Sequence, residues 1–188
     1  MPISAEEEEY FDILDENGEE TGRKELRSIV HATGLYHRAV YCFVLNPDGL
    51  LLIQQRSKDK KVGPGQWDLS VAEHLQPGEQ YVDAAVRGLY EELGIKVSRE
   101  CLRGPLSARH LTQVQMPQLG IDDREYVESF VVERFEGEVQ FNQNEVSAIA
   151  FKSVTQLEAE MRGEENRETF TPWFRAELKR SMKDLLRK

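Results

Sequence analysis

The stretch "VRGLYEELGI", Val86 to Ile95, decides how this chain is read. On a helix, residues three and four apart share a face, so Arg87 stands one turn from Glu91 and Gly88 one turn from Glu92. An arginine one turn ahead of two adjacent carboxylates is suited to holding a charged group. Gly88 is the residue out of place, because glycine inside a helix costs about 1 kcal/mol relative to alanine. Adjacent carboxylates repel one another, and a pair that stays ionised on one turn is stabilised by a hard, oxygen-seeking cation such as Mg2+. By spacing alone, a metal-binding helix and a salt-bridged solvent-facing helix both satisfy the pattern.

The stretch closes a longer unit, "AEHLQPGEQYVDAAVRGLYEELGI", in which Pro77 and Gly78 make a turn, a helix runs to Leu93, and Gly94 stops it. Glu79 is spaced to pair with Arg87 and tie the loop to the helix, a structural role. This unit resembles the Nudix box, which runs Gly, five residues, Glu, seven residues, then Arg-Glu-apolar-x-Glu-Glu-x-Gly-apolar. The first Glu of the box falls on Glu79, its Arg on Arg87, its apolar position on Leu89, its paired glutamates on Glu91 and Glu92, and its end on Gly94 and Ile95. Two positions depart: the opening Gly is Glu73, and the Glu after the Arg is Gly88. In this family the box glutamates hold divalent cations, joined by the carbonyl of the residue before the opening Gly. The resemblance implies Glu91, Glu92 and the Ala72 carbonyl as a shell for Mg2+ or Mn2+, with one usual carboxylate missing at Gly88. That loss implies weaker metal binding, fewer metals or no hydrolysis, unless Glu73 supplies the oxygen that Gly88 cannot.

Further stretches, "YHRAVYCFVLN", "LLLIQQRSKDKK", "PGQWDLS", "EHLQPGE" and "FTPWF", resemble the branch of the family that contains isopentenyl-diphosphate isomerase and its hydrolase relatives. They reach from Tyr36 to Phe174. In the isomerases a Cys before a Gly-His pair is catalytic; here the triplet "AEH" puts Ala72 in place of the thiol and keeps His74. The acid-base pair for moving an allylic proton is then incomplete, while Glu91, which the isomerases lack, is present, and both turn the reading towards hydrolysis. In "DREYVESF", Glu125 aligns with an acidic residue that serves metal or catalysis in this branch, which implies a further ligand or a base; Asp123 and Glu128 are the solvent-facing alternatives. His31 and His37 resemble metal-binding positions of the isomerases at a spacing one residue shorter, and taken singly each reads as a hydrogen-bonded structural histidine. His74, beside the box loop, is grouped with the substrate, and His110 is assigned no function. In the basic run Arg56, Lys58, Lys60 and Lys61, Arg56 and Lys60 are read as diphosphate contacts, Arg gripping phosphate bidentately and Lys acting as a point charge. Trp173 in "TPW" either packs or covers a substrate.

Outside these motifs, "EYFDIL", the turn "DENG" and "EETGRK" read as a small β-meander, and "RKELRSIVHATG" as a helix stopped by Gly34. "HRAVYCFVLN" and "LLLIQQR" flank "PDG" and predict a β-hairpin. Strands are predicted in "LSARHL", "REYVESFVVERF" and "EVSAIAFKSV", and helices in "TQLEAEM" and "PWFRAELKRSMKDLLRK". Strands and helices mixed in this order predict an α/β (α+β) fold, and the resemblance implies a Nudix-type α/β/α sandwich with a mixed central sheet between helices. A length of 188 residues with 39% hydrophobic residues fits a single Nudix domain over 1–188, with the meander and helix in 1–34, the box in 72–95 and the last helices in 154–188.

A net charge of −10 argues against general affinity for nucleic acid, although local basic residues or a bound cation can reverse the field inside one pocket. The acidic start "MPISAEEEEY" has no apolar core of a signal peptide, and no run approaches the ~20 apolar residues that span a bilayer. The Glu6 to Glu9 run reads as a solvated face. Cys42 and Cys101 have no partner spacing, so a reducing, cytoplasmic setting is expected. The partner expected is a small-molecule diphosphate, a nucleoside diphosphate derivative or a prenyl diphosphate, with no membrane or nucleic acid and with a homodimer left open. The activity expected is metal-dependent cleavage of that diphosphate; isomerisation of isopentenyl diphosphate, or binding without cleavage, are the rivals.

Overall fold

The computed structural model describes residues 9–163, 166 and 168–187, so Glu6 to Glu8 and the rest of the acidic start lie outside the described residues. Strand β1 (Tyr10–Leu14) and strand β2 (Glu20–Leu26) form the expected first hairpin, Phe11 opposite Glu25. Helix α1 (Arg27–Thr33) is shorter than the sequence suggests, because Arg23 to Leu26 belong to β2 and Lys24 to Leu26 pair with β1. Its stop at Gly34 stands, with φ of 68° in the left-handed region that glycine adopts freely.

Strand β3 (Tyr36–Val44) is the centre of the molecule. It pairs in parallel with β9 (Ile121–Val132) and antiparallel with β6 (Val71–His74), and touches β1 at Leu14 and Tyr36. Two shorter strands, β7 (Leu102–Arg103) and β8 (His110–Met116), complete this mixed sheet along β9. A strand buried on both faces reads as an unbroken apolar run, and "AVYCFVL" is one. Val40, Cys42 and Val44 pack against Ala84, Ala85, Leu89 and Leu93 of helix α2 (Tyr81–Leu93). On the other face, Tyr41 and Phe43 pack with Leu157 of helix α3 (Val154–Arg162) and with Phe174 and Leu178 of helix α4 (Pro172–Leu185). Each such fully buried side chain contributes about 1.5–3 kcal/mol. The fold class expected from the sequence is the one observed: a mixed α+β architecture with helices on both sides of a mixed central sheet.

Two strand expectations are corrected. "PDG" is a tight turn, with the Gly49 N–H donating to the Asn46 carbonyl, but β3 and β4 (Leu50–Arg56) do not form a hairpin ladder. They share the single bridge Leu45 to Leu51 and then diverge, β4 joining β5 (Trp67–Asp68) and β10 (Val146–Ser153) in a second sheet. The buried Ser70 hydroxyl fills the gap, accepting from the Val44 N–H at 2.9 Å and donating to the Leu52 carbonyl at 2.5 Å. Period-two patterning shows that each segment is a strand, not which strand it pairs with. The strand expected in "LSARHL" begins only at His110 and continues to Met116, as an edge strand whose outward positions include exposed Leu111.

Candidate metal-binding cleft

The divergence of β3 and β4 opens a cleft of about 790 Å3, with Ala39 and Tyr41 on one wall and Gln54 and Arg56 on the other. Strand register decides which side chains enter it. His37 is opposite Glu125, and Ala39 is opposite both Val127 and His74, so His37, Tyr41, Ala72, His74, Asp123 and Glu125 share one face of the central sheet. His31 joins them from the last turn of α1. One ligand atom from each of His31, His37, His74 and Asp123 lies within 4.8 Å of all the others. Asp123 Oδ1 is 3.4 Å from His37 Nε2 and 3.7 Å from His31 Nε2, and His74 Nε2 is 3.1 Å from Glu125 Oε1.

The three Nε2 atoms and Asp123 Oδ1 are sealed from solvent and make no hydrogen bond among the described residues. Buried polar atoms left unpaired are costly, so four converging on one point call for a ligand. The tautomer of His37 follows from its surroundings: Nδ1 lies 3.2 Å from the Leu35 carbonyl, to which its N–H donates, leaving the Nε2 lone pair towards the cluster. Burial drives the His31 imidazole down to about 2 and holds His37 and His74 below their ordinary range, so all three are neutral donors. Phe11 stacks on His37 and His74 at 5.0 and 4.7 Å between ring centres and fixes their planes. Tyr41 donates to Glu125 Oε2 at 2.9 Å, which orients that carboxylate. Three imidazoles with two carboxylates suit a divalent transition ion such as Mn2+.

The box residues form a second group across β6, on the face that meets α2. Arg87 is its hub: it donates to both Glu79 oxygens at 3.0 and 2.9 Å, to Glu91 at 3.1 Å and to the His74 carbonyl at 2.8 Å, and lies 3.3 Å from Glu73 Oε2. Glu79 also accepts from the Gln76 N–H, so this pair closes the loop onto the helix. Arg38 holds the same loop to β1, donating to the Glu79 carbonyl and to Asp12. Glu91 is half exposed. Glu92 takes a 2.6 Å hydrogen bond from Gln54 of β4, and burial with the charge of Glu73 pushes its carboxyl up to about 8. Oxygen donors alone make this group suited to Mg2+ or Mn2+, and the strained ionisation of Glu92 is what a cation would relieve.

The remaining candidates divide. Ala72, Arg56, Lys60 and Trp173 all line the cleft. Arg56 is not simply a phosphate hand, because Nε donates to the Val62 carbonyl, Nη1 to buried Asp68 at 3.1 Å, and its guanidinium carbon lies over the Trp173 ring, 5.3 Å from the ring centre. Trp173 is 9% exposed and its indole N–H also serves Asp68, so packing dominates. Lys60 pairs with Glu145. His74, read from the sequence with the substrate contacts, stands in the same group of converging side chains as His31, His37 and Asp123. That His31, His37 and Asp123 meet is not legible in the sequence; the isomerase-like position of the two histidines is the signal, and the register of β9 against β3 completes it. His110 pairs with buried Glu177 of α4, which also accepts from Ser129 and Ser181, outside the cleft.

Residues 35–174 match the model of the NUDIX domain. The chain is 34% identical over 164 residues to an isopentenyl-diphosphate Delta-isomerase of Streptomyces coelicolor, covering 87% of this chain and 79% of that protein. It is 45% identical over 94 residues to Nudix hydrolase 3 of Arabidopsis thaliana, half of this chain but only 12% of that protein. Among solved structures, a Deinococcus radiodurans protein superposes with a TM-score of 0.65 at 23% identity, covering 92% of this chain and 99% of that one. With the box geometry on α2 and the matched span running through both sheets, this chain belongs to the Nudix family.

Proposed function

We propose that this chain is a divalent-metal-dependent hydrolase that cleaves the diphosphate linkage of a small molecule, a nucleoside diphosphate derivative or a prenyl diphosphate. The observation that carries the reading is the convergence of unpaired buried donors at His31, His37, His74 and Asp123 beside the box carboxylates, in one cleft rimmed by Arg27, Arg56, Lys60 and Lys61. Glu91, Glu92 and the Ala72 carbonyl are the ligands assigned to the box centre, and the three histidines with Asp123 and Glu125 those assigned to the other. A divalent cation bound there supplies charge stabilisation to phosphoryl oxygens and makes water a better nucleophile. The basic rim attracts the diphosphate, with Arg56 held in orientation by Asp68. Water oxygen bonds to one phosphorus as the bridging P–O bond breaks, and the water proton passes to Glu91 or Glu125, the two carboxylates assigned as base. Free thiols at Cys42 and Cys101 go with a reducing, cytoplasmic setting.

Isomerisation of isopentenyl diphosphate is favoured by one observation, the His31, His37, His74 and Glu125 constellation, and opposed by Ala72, which has no thiol to give a proton. A panel of nucleotide sugars, dinucleoside polyphosphates, ADP-ribose, oxidised nucleotides and prenyl diphosphates separates the readings. Metal-dependent cleavage of a member, followed by 31P NMR, supports hydrolysis. Double-bond migration without cleavage in isopentenyl diphosphate overturns it.

A further inference from the structure

The two departures of the box occupy one place. On β6, Val71 and Glu73 face α2, and Gly88 is the α2 residue beneath them. A Cβ at position 88 would stand 2.9 Å from Val71 Cγ1, 3.0 Å from Glu73 Cβ and 3.3 Å from Glu73 Cγ. Its backbone is ordinary helix, so no left-handed torsion calls for glycine there. What excludes a side chain at 88 is volume, which Val71 Cγ1 and the stem of Glu73 fill together. A box with glycine at the strand position and glutamate on the helix would occupy the same space from the other side.

The carboxylate that arrives by this route stays with the box group. Glu73 Oε1 accepts from the His74 N–H at 2.8 Å, and Oε2 lies 3.3 Å from the Arg87 Nη1 that also holds Glu91 at 3.1 Å. Glu73 lines the cleft together with Glu91 and Glu92, directly after Ala72. One guanidinium therefore faces Glu73, Glu79 and Glu91 together, with Glu92 close by, and negative charge is left over at the site. Resting on the metal-dependent reading above, we propose that Glu73 is a metal ligand of the box centre, its carboxylate reaching from β6 the position that a glutamate at 88 would serve from α2.

The test is Mn2+ binding by electron paramagnetic resonance, which needs no substrate, on wild type, Glu73→Gln, Glu92→Gln and His37→Ala. His37→Ala marks the histidine centre, and the metal-free melting temperature reports any loss of the Arg87 pair separately from loss of metal. The expected result is that Glu73→Gln and Glu92→Gln weaken the same class of site about tenfold or more, while the class lost in His37→Ala is retained in both. Glu73→Gly, the family's residue at this position, replaces the Gln variant if the latter does not fold. Wild-type affinity in the Glu73 variant with loss in Glu92→Gln overturns the ligand role and leaves the box reading standing. Wild-type affinity in both overturns the two together.

Discussion

At the scale of single residues, the cleft is governed by groups that burial keeps from their ordinary ionisation. Glu92 is pushed up to about 8 from a usual 4.5, and burial raises Asp123 as well. The metal-free native state then holds protons that the unfolded chain has released, so stability falls as pH rises across that window. The histidines act in the opposite sense only below about pH 6.5, where the unfolded chain takes up protons that the buried imidazoles refuse. In EDTA, the melting temperature is therefore expected to fall between about pH 6.5 and 8, and Mn2+ is expected to flatten that fall; a metal-free melting temperature that rises across this range would contradict the assignment. The pairing of Glu79 with Arg87 was legible because a fixed spacing on one helix and its loop carries it. The structural engagement of Arg56 is not legible, since nothing in the sequence announces that Asp68 is buried and draws on its guanidinium, the Thr171 hydroxyl and the Trp173 indole together. His31, His37 and Asp123 come from three separate elements, and only strand register shows that they meet.

At the scale of elements, the parting of β3 from β4 matters most. Alternation and the turn at Pro47 to Gly49 identify both strands, but hairpin pairing would have closed the space in which Gln54, Glu92 and Tyr41 now face each other. Ser70 keeps the parting stable by satisfying one backbone group of each strand. Ser70→Ala leaves the Val44 N–H and the Leu52 carbonyl buried without that partner, and a loss of about 2–3 kcal/mol is expected in urea unfolding. A change within experimental error would mean that the strands are held apart by packing alone. The end of α2 offers a second test: Gly94 has φ of 66°, and a Cβ there would lie 2.8 Å from the Gln140 carbonyl oxygen. Gly94→Ala is expected to cost at least about 1 kcal/mol by the same measurement, whereas an unchanged midpoint would show that the loop after α2 yields freely. The helix stops at Gly34 and Gly94 and the Pro172 start of α4 were all readable from sequence, because each rests on local backbone chemistry. The edge strand β8 was not, because its outward Leu111 and inward Thr112 blur the alternation.

At the scale of the molecule, the two apolar cores lie on opposite faces of β3, so loss of either strips one face of the strand that the other packs against. The proposed single domain is expected to unfold in one cooperative step, with far-ultraviolet circular dichroism and tryptophan fluorescence giving coincident curves. Separate transitions would divide the chain into independent units. The same central strand carries His37 and Tyr41 and pairs with the strands bearing His74 and Glu125, which couples the cleft to the core. Among the described residues, no helix is long and apolar enough to cross a membrane. The proposed function is diphosphate cleavage in this cleft, for which a divalent cation held by the box carboxylates would supply the charge stabilisation. It is tested most directly by following product formation by 31P NMR, with and without Mn2+ or Mg2+, for wild type and Glu92→Gln on the substrate found by the panel. Metal-dependent cleavage that falls about 100-fold or more in Glu92→Gln is the expected result; turnover that survives in EDTA, or that Glu92→Gln leaves unchanged, would contradict it.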